Sequence, residues 1–367
     1  MPSRPIKKLS GMQDIVGETY SLTSQTFHII KSYLGLNGYE SIDTPILENA
    51  ELFVRKSGGE LTSLIYTFTD PGGYRVSLRP EFTSSLIRHF IEEKNGAPLP
   101  IRWQYGGSVF RYERDNDGHY RQFTQIGAEL IGASGINADA EIVSIASLGL
   151  DKTGLQSHQI RIGHLGVLRN LLKNYDISEA AQLFVISNLN RLKTKITDVP
   201  RLMQQANDVG LLKENTEFKN QNLKENDQEA ARELIRGVLT ESTTGTLGRR
   251  TTKEIVDRLL RKVREETPPK ELNRALQLAD AMSQLEGDPK SALKKAKMIV
   301  KRHGLGKTHF DELENLLEAL SAKGLDESTV VLDLGLARGI AYYSGVIFEL
   351  FHSTSDDQKA LGGGGRY

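Results

Sequence analysis

Residues 101–131 read IRWQYGGSVFRYERDNDGHYRQFTQIGAELI, and they carry the clearest prediction of strand pairing in the chain. At its centre, residues 115–118 are Asp-Asn-Asp-Gly, which are residue types that favour tight turns. Because the spacing on both sides of this turn is short, the sequence predicts an antiparallel strand pair, 101–114 with 119–131.

Alternate residues of a strand share a face, so the two predicted strands place polar side chains together. Arg111 and Glu113 share one side of the first strand, and Gln125 and Glu129 flank Gly127 on one side of the second. Such a face suits a floor for a small polar ligand, and arginine offers a planar donor fork for phosphate or carboxylate. A solvated sheet face with surface ion pairs is the alternative, and alternation leaves both open.

A second polar stretch, LRPEFT at 78–83, lies where a predicted strand ends and a helix begins near Phe82. Glu81 at this junction could cap the helix through its N–H groups. It could also face a cleft and hold a ligand ammonium group. A third stretch pairs ARGIAYYSG at 337–345 with the glycine run at 362–365. Glycines in strands indicate a bulge or a closely approaching ligand, whereas the alternative here is a flexible terminus.

The remaining pattern gives the outline of the fold. Helices are predicted at about 19–37 and 139–150, a hairpin at 66–79, and strands at 39–47, 329–336 and 340–351. Between 163 and 324 the pattern is mostly helical, with a capping box at 251–254 and a polar loop at about 214–227. We therefore expect three parts: residues 1–165, a mostly helical insertion at 166–325, and residues 326–367.

Composition excludes several kinds of site. The 367 residues include no cysteine, so disulfides and thiolate chemistry are excluded. The eight histidines are scattered, and we expect no metal site. The formal net charge is zero, so nucleic-acid binding would depend on local patches such as 249–264 and 294–302, for which a solvated helix face is the alternative. No signal peptide or membrane-spanning run is present, and we expect a cytoplasmic protein.

In their order along the chain, these stretches resemble the histidyl-tRNA synthetase branch of the class II aminoacyl-tRNA synthetases. GMQDI at 11–15 is similar to the start of that family, 39–53 to its motif 1, and 110–129 to its motif 2. Residues 338–343 resemble its Arg-Gly-x-x-Tyr-Tyr signature, and 363–367 resemble the glycine-rich strand that follows. The resemblance covers about 1–165 and 326–367.

The resemblance implies an α+β fold, an antiparallel sheet flanked by helices, in a homodimer. It also implies that ATP, with Mg²⁺, and histidine react to histidyl-adenylate for transfer to tRNA(His). Arg111 and Arg338 would be catalytic, and Arg111 with Glu113 would bind ATP. Histidine would be bound at its α-amino group by Glu81, Thr83 and Gln125, and at its imidazole by Glu129 and Tyr343.

The chain departs from the family pattern at His119, Phe82 and Ala341, where arginine, glycine and aspartate are usual. It ends at Tyr367, before motif 3 and the anticodon-binding domain, so we expect a truncated reading frame that is not fully active. One rival interpretation is the regulatory subunit of ATP phosphoribosyltransferase, which shares the fold and binds histidine. Another is a catalytically inactive paralogue that serves as an interaction module.

Overall fold

The computed structural model describes residues 6–54, 63–93, 96–113, 120–155, 157–212, 267–306, 310–337, 343–352 and 360–367. The helices are α1 Gly17–Leu36, α2 Ala50–Val54, α3 Thr83–Glu93, α4 Ile136–Lys152, α5 Leu165–Leu172, α6 Glu179–Ser187, α7 Leu189–Lys193, α8 Val199–Asp208, α9 Pro269–Ser283, α10 Pro289–Arg302 and α11 Asp311–Ala322, with a 3₁₀ turn at Glu327–Thr329. The strands are β1 Glu40–Ser41, β2 Leu47–Asn49, β3 Thr67–Thr69, β4 Arg75–Leu78, β5 Ile101–Phe110, β6 Gln122–Ile131, β7 His158–His164, β8 Glu286–Gly287, β9 Val330–Asp333, β10 Val346–His352 and β11 Ala360–Gly365.

The chain divides into two compact units. The first combines Met1–Val167 with Met282–Tyr367, and the second is Leu168–Ala281. The predicted division of the chain into a catalytic core with an insertion at 166–325 is a different statement from this division into compact units, and it stays a prediction.

The predicted strand pair at 101–131 is confirmed as β5 and β6, which run antiparallel with Tyr105 opposite Gly127. Strand β1 pairs with β5 in parallel and completes a three-stranded sheet. One face packs on Phe82 and Leu86 from the start of α3, and the other packs on apolar residues of α1 and α4. Because both faces are covered by apolar side chains, this sheet is a rigid platform for the polar groups on it.

The predicted hairpin is also confirmed, as β3 and β4. Asp70 closes its turn, accepting the Tyr74 N–H on its carboxylate at 2.8 Å and the Gly73 N–H on its backbone carbonyl at 3.0 Å. The strand predicted at 39–47 is divided into β1 and β2, which pair in different sheets. Pro45 lies in the gap, because proline lacks the N–H group that a continuous strand requires.

A five-stranded mixed sheet has the order β11-β10-β7-β9-β8. The glycine run at 362–365 belongs to β11 and pairs with β10, so the alternative interpretation of this run as a flexible terminus is wrong. A Cβ atom at Gly365 would lie 2.7 Å from the Val346 carbonyl oxygen, which explains the requirement for glycine there. Helices and mixed sheets together confirm the predicted α+β class.

In the second unit, α6 to α9 surround a core of fully buried leucines that includes Leu189, Leu202 and Leu272. Ser178 precedes α6 and Asp198 precedes α8 as capping residues, and each of these side chains accepts a backbone N–H of the first helical turn. The predicted capping box at 251–254, the polar loop at 214–227 and the basic patch at 249–264 lie outside the described residues. Within the described part of the chain, no helix combines the length and apolar character needed to cross a membrane.

Candidate active site

The candidate site centres on the carboxylate of Glu129, which lies on β6 and is 8% exposed. Three hydroxyl groups surround it. Thr83 Oγ1 donates to Glu129 Oε1 at 2.7 Å, and Tyr105 Oη lies 3.4 Å from the same oxygen. Tyr367 Oη donates to Glu129 Oε2 at 2.9 Å. The site therefore joins β6, the first residue of α3, the centre of β5 and the segment that follows β11.

The local sequence explains why Tyr105 reaches this carboxylate. Gly127 lies opposite Tyr105, and a Cβ atom at Gly127 would come within 2.3 Å of the Tyr105 hydroxyl oxygen. The tyrosine ring therefore occupies the space that any larger residue at 127 would fill. On its other side, the Phe82 ring stacks on Tyr105 with 4.5 Å between centroids. Phe82, a departure from the family pattern, is completely buried in this core, where it supports the tyrosine.

Glu81 is the second buried carboxylate of the site, with 6% exposure. Its two oxygens accept the Ser84 backbone N–H at 3.1 and 3.2 Å, so the helix-capping interpretation is confirmed. Capping leaves lone pairs available on both oxygens, and the role in binding an ammonium group stays a prediction.

Burial dominates the electrostatics of Glu129. Burial and, to a smaller extent, the negative charge of Glu81 raise the pKa of Glu129, whereas hydrogen bonds from Thr83, Tyr367 and Tyr105 lower it; together they bring this pKa from the usual 4.5 to about 7. Burial and the charge of Glu129 also hold the pKa of Tyr105 well above its ordinary value, so this hydroxyl remains a donor. Two acidic groups in a dry site favour a ligand that brings positive charge or N–H donors.

Gln125 lies on the same face of β6, opposite Gly107 of β5. Its Oε1 atom is buried and has no hydrogen-bond partner among the described residues. A buried acceptor without a donor carries a free-energy cost that a bound N–H group would remove. This observation supports Gln125 as a contact for a ligand donor.

Arg111 and Glu113 follow β5. The Arg111 Nε donates to the Pro80 carbonyl at 3.0 Å, and the guanidinium lies 5.2 Å from the centroid of the Phe123 ring. The carbonyl of Glu113 accepts from Arg121 Nε at 3.1 Å. Arg111 therefore contacts Pro80, the residue before Glu81, and lies over the ring of Phe123, which is two positions before Gln125.

The structure thus brings together Glu81, Thr83 and Glu129 through direct hydrogen bonding or electrostatic interaction. Tyr343 is buried, lies against Gly365, and interacts electrostatically with Tyr105. Arg338, His119 and Ala341 lie outside the described residues. Of the residues that the structure describes, no three histidine or acidic side chains are grouped so that they could hold a metal ion.

Sequence reasoning missed three residues that shape the site: Tyr105, Tyr367 and Arg79. Tyr105 could have been found from the strand register. In the antiparallel pair Tyr105 lies directly opposite Gly127, and a tyrosine opposite a glycine indicates that its ring lies over the glycine. Arg79 is 3% exposed, donates to the Ser108 carbonyl at 3.0 Å, and lies 3.9 Å from the Phe82 ring centroid. It fixes the loop that carries Glu81. Nothing local in the sequence indicates that Tyr367 reaches Glu129.

Known proteins resemble this chain over most of its length. The chain is 30% identical over 334 residues to the histidine–tRNA ligase of Methanoregula boonei, which covers 90% of the chain and 61% of that relative. It is 29% identical over 362 residues to the histidine–tRNA ligase of Pyrococcus horikoshii, an alignment that covers 99% of the chain and 69% of that relative. The chain therefore spans about two thirds of the length of these curated relatives.

Solved structures confirm the class II synthetase-like fold. An ATP phosphoribosyltransferase regulatory subunit/histidyl-tRNA synthetase from Bacillus halodurans aligns with a TM-score of 0.66 at 23% identity, covering 99% of this chain and 77% of that one. A histidyl-tRNA synthetase from Nostoc sp. aligns with a TM-score of 0.64 at 18% identity, covering 100% and 69%. The sequence profile of histidyl-tRNA synthetase matches residues 11–241 and 230–367, so the chain belongs to the histidyl-tRNA synthetase family.

Proposed function

We propose that this chain is the catalytic core of a histidine–tRNA ligase. Such an enzyme activates histidine with ATP, which gives histidyl-adenylate for transfer to tRNA(His). The observation that carries the proposal is the buried carboxylate of Glu129, held by three hydroxyls beside the second buried carboxylate, Glu81. Histidine has an ammonium group and an imidazole, both of which donate N–H groups that suit two acidic sites.

The binding roles follow from charge and position. Glu81, Thr83 and the unpaired Gln125 Oε1 would bind the α-amino group, and Glu129 with Tyr343 would bind the imidazole. The buried acceptors of this pocket require N–H donors from the ligand. An amino acid of the same shape that lacks these donors is disfavoured, because the acceptors would stay unpaired.

The chemistry requires alignment and cancellation of charge more than it requires a base. A carboxylate oxygen of histidine attacks the α-phosphorus of ATP, the bond from that phosphorus to the bridging oxygen breaks, and pyrophosphate leaves. Arg111, with Glu113 after it, would contact ATP at the α-phosphate, and Arg338 would bridge this phosphate and the histidine carboxylate. Mg²⁺ would arrive with ATP and neutralise charge on the departing pyrophosphate.

The same proposal includes a cytoplasmic homodimer whose interface is formed around residues 39–53. It also includes the division into core residues 1–165 and 326–367 with an insertion at 166–325. The departure at His119 concerns a triphosphate contact, and the departure at Ala341 lies just before the tyrosine pair. An effect of either would show as altered KM values for ATP or histidine.

Histidine-dependent exchange between ATP and pyrophosphate, measured with protein expressed from its complete reading frame, tests the proposal. Exchange with histidine and with no other amino acid would support it. Histidine binding without exchange would overturn it in favour of the regulatory subunit of ATP phosphoribosyltransferase, with the transferase as the partner to seek. Exchange without histidine binding would favour another substrate, and neither activity would favour the inactive paralogue.

A further inference from the structure

A bidentate ion pair lies next to the candidate site and is not used by the proposed chemistry. The guanidinium of Arg366, just after β11, donates from Nε to Asp139 Oδ1 at 2.9 Å and from Nη2 to Asp139 Oδ2 at 2.5 Å. Nη2 also donates to the Gly135 carbonyl at 3.0 Å. Asp139 lies in the first turn of α4, and Gly135 is the residue that precedes this helix.

The backbone of Arg366 is held as firmly as its side chain. Its N–H donates to the Val346 carbonyl at 2.8 Å, and its carbonyl accepts the Ser344 N–H at 2.7 Å. Gly345 gives room for the side chain, because a Cβ atom there would lie 3.1 Å from Arg366 Cδ. Arg366 therefore has a fixed position relative to both β10 and α4.

The residue after this fixed arginine is Tyr367, whose hydroxyl donates to Glu129 Oε2 at 2.9 Å. Tyr367 is 44% exposed, and its backbone continues directly from the fixed backbone of Arg366, which limits where the hydroxyl can reach. Thr83 and Tyr105 contact the other oxygen of Glu129, so Tyr367 is the described hydroxyl donor to Oε2.

We propose that Arg366 is a positioning residue: its ion pair with Asp139 holds the Tyr367 hydroxyl on Glu129 and so keeps this carboxylate in the geometry that binds the amino acid. The part concerning the amino acid rests on the proposed function. The part concerning Glu129 does not depend on any ligand.

The Arg366 and Asp139 side chains are 36% and 14% exposed, so this bidentate pair is partly buried and can contribute to stability as well as to position. A positioning role therefore requires a readout at Glu129 itself, which loss of the pair should alter. His164 on β7 is the further titratable group that interacts with both Asp139 and Arg366.

The first test follows the titration of Glu129 in the ligand-free chain by carboxyl NMR of isotopically labelled glutamate, assigned by the signal lost in Glu129→Gln. The Tyr367 hydrogen bond lowers the pKa of Glu129, so Arg366→Gln and Tyr367→Phe should both raise this pKa. Glu81 and Tyr105, the other groups that act on Glu129, remain in place. An unchanged titration in Arg366→Gln would overturn the proposal.

Arg102→Gln is the matched control. Arg102 forms a comparable pair with Glu141, also on α4, at 2.7 and 2.9 Å, and Arg102 lies on the face of β5 opposite to Tyr105. This variant should leave the Glu129 titration unchanged, and a shift equal to that of Arg366→Gln would contradict a local role. If Arg366→Gln does not fold, Asp139→Asn breaks the same pair and gives the same test.

The second test measures histidine binding by calorimetry. Arg366→Gln and Tyr367→Phe should each weaken histidine binding about tenfold, whereas Arg102→Gln should weaken it by less than about twofold. The double variant of Arg366→Gln and Tyr367→Phe should weaken binding no more than either single substitution. Additive effects of the two substitutions would contradict action through Tyr367. Failure of the unaltered chain to bind histidine would count against the proposed function, and the titration would still decide the role of Arg366.

Discussion

Replacing Glu129 by glutamine should change how the stability of the chain depends on pH. Burial raises the pKa of Glu129 from 4.5 to about 7, so between these values the folded state binds more protons than the unfolded state. The free energy of unfolding therefore falls as pH rises through this window. At 1.36 kcal/mol for each pKa unit, the difference of 7 − 4.5 corresponds to about 3 kcal/mol of lost stability at alkaline pH.

Glu129→Gln removes this titration. Its altered hydrogen bonds to Thr83, Tyr105 and Tyr367 add a term that is the same at each pH and cancels when two pH values are compared. Urea unfolding at pH 5 and pH 8 should therefore show that the variant gains up to about 3 kcal/mol relative to the unaltered chain as pH rises.

Glu141→Gln is the control with the opposite sign. Hydrogen bonds from Arg102 lower the pKa of Glu141, so its contribution is complete above 4.5 and is lost only at lower pH. The stability of this variant should run parallel to that of the unaltered chain from pH 5 to pH 8. If Glu129→Gln also ran parallel over this range, the carboxylate would not be buried in the way described.

Three further substitutions test the site. Gly127→Ala should destabilise the fold by about 1–3 kcal/mol in urea unfolding and weaken histidine binding, because its Cβ would displace the Tyr105 hydroxyl; Gly362→Ala, where the nearest atom is 3.8 Å from the Cβ, should do neither. Glu81→Gln should weaken histidine binding about tenfold in calorimetry, because it removes the charge proposed to face the ammonium group; unchanged affinity would contradict that role. Arg338→Ala should lower the rate of ATP–pyrophosphate exchange more than histidine affinity, and an unaffected rate would favour the regulatory subunit.

The local elements of the core could be predicted from the sequence because turns and alternation are short-range properties. Asp70 and Gly73 close the first hairpin as turn chemistry requires, and the face that carries Gln125, Gly127 and Glu129 follows from alternation. Glu81 received two interpretations for a physical reason: a carboxylate at a helix start can cap the helix and still present lone pairs to a ligand.

What could not be predicted depends on contacts between distant parts of the chain. Glycine has a low intrinsic strand preference, and the run at 362–365 becomes a strand because it pairs with β10, which at Gly365 leaves no room for a side chain. Likewise Tyr367 reaches Glu129 across 238 residues, a separation over which no sequence periodicity operates. The site could be predicted as a group of residue types but not as a set of paired atoms.

The strand order of the five-stranded sheet also has a consequence for synthesis. Strand β7 is translated early, yet both of its neighbours, β9 and β10, come from the far end of the chain. At roughly 5–20 residues per second, the 330 − 160 = 170 residues between the paired positions Ile160 and Val330 take on the order of 10–30 s to translate. Until then the segment of β7 has neither of its partner strands, and unpaired strand edges of this kind are where another chain can add a strand.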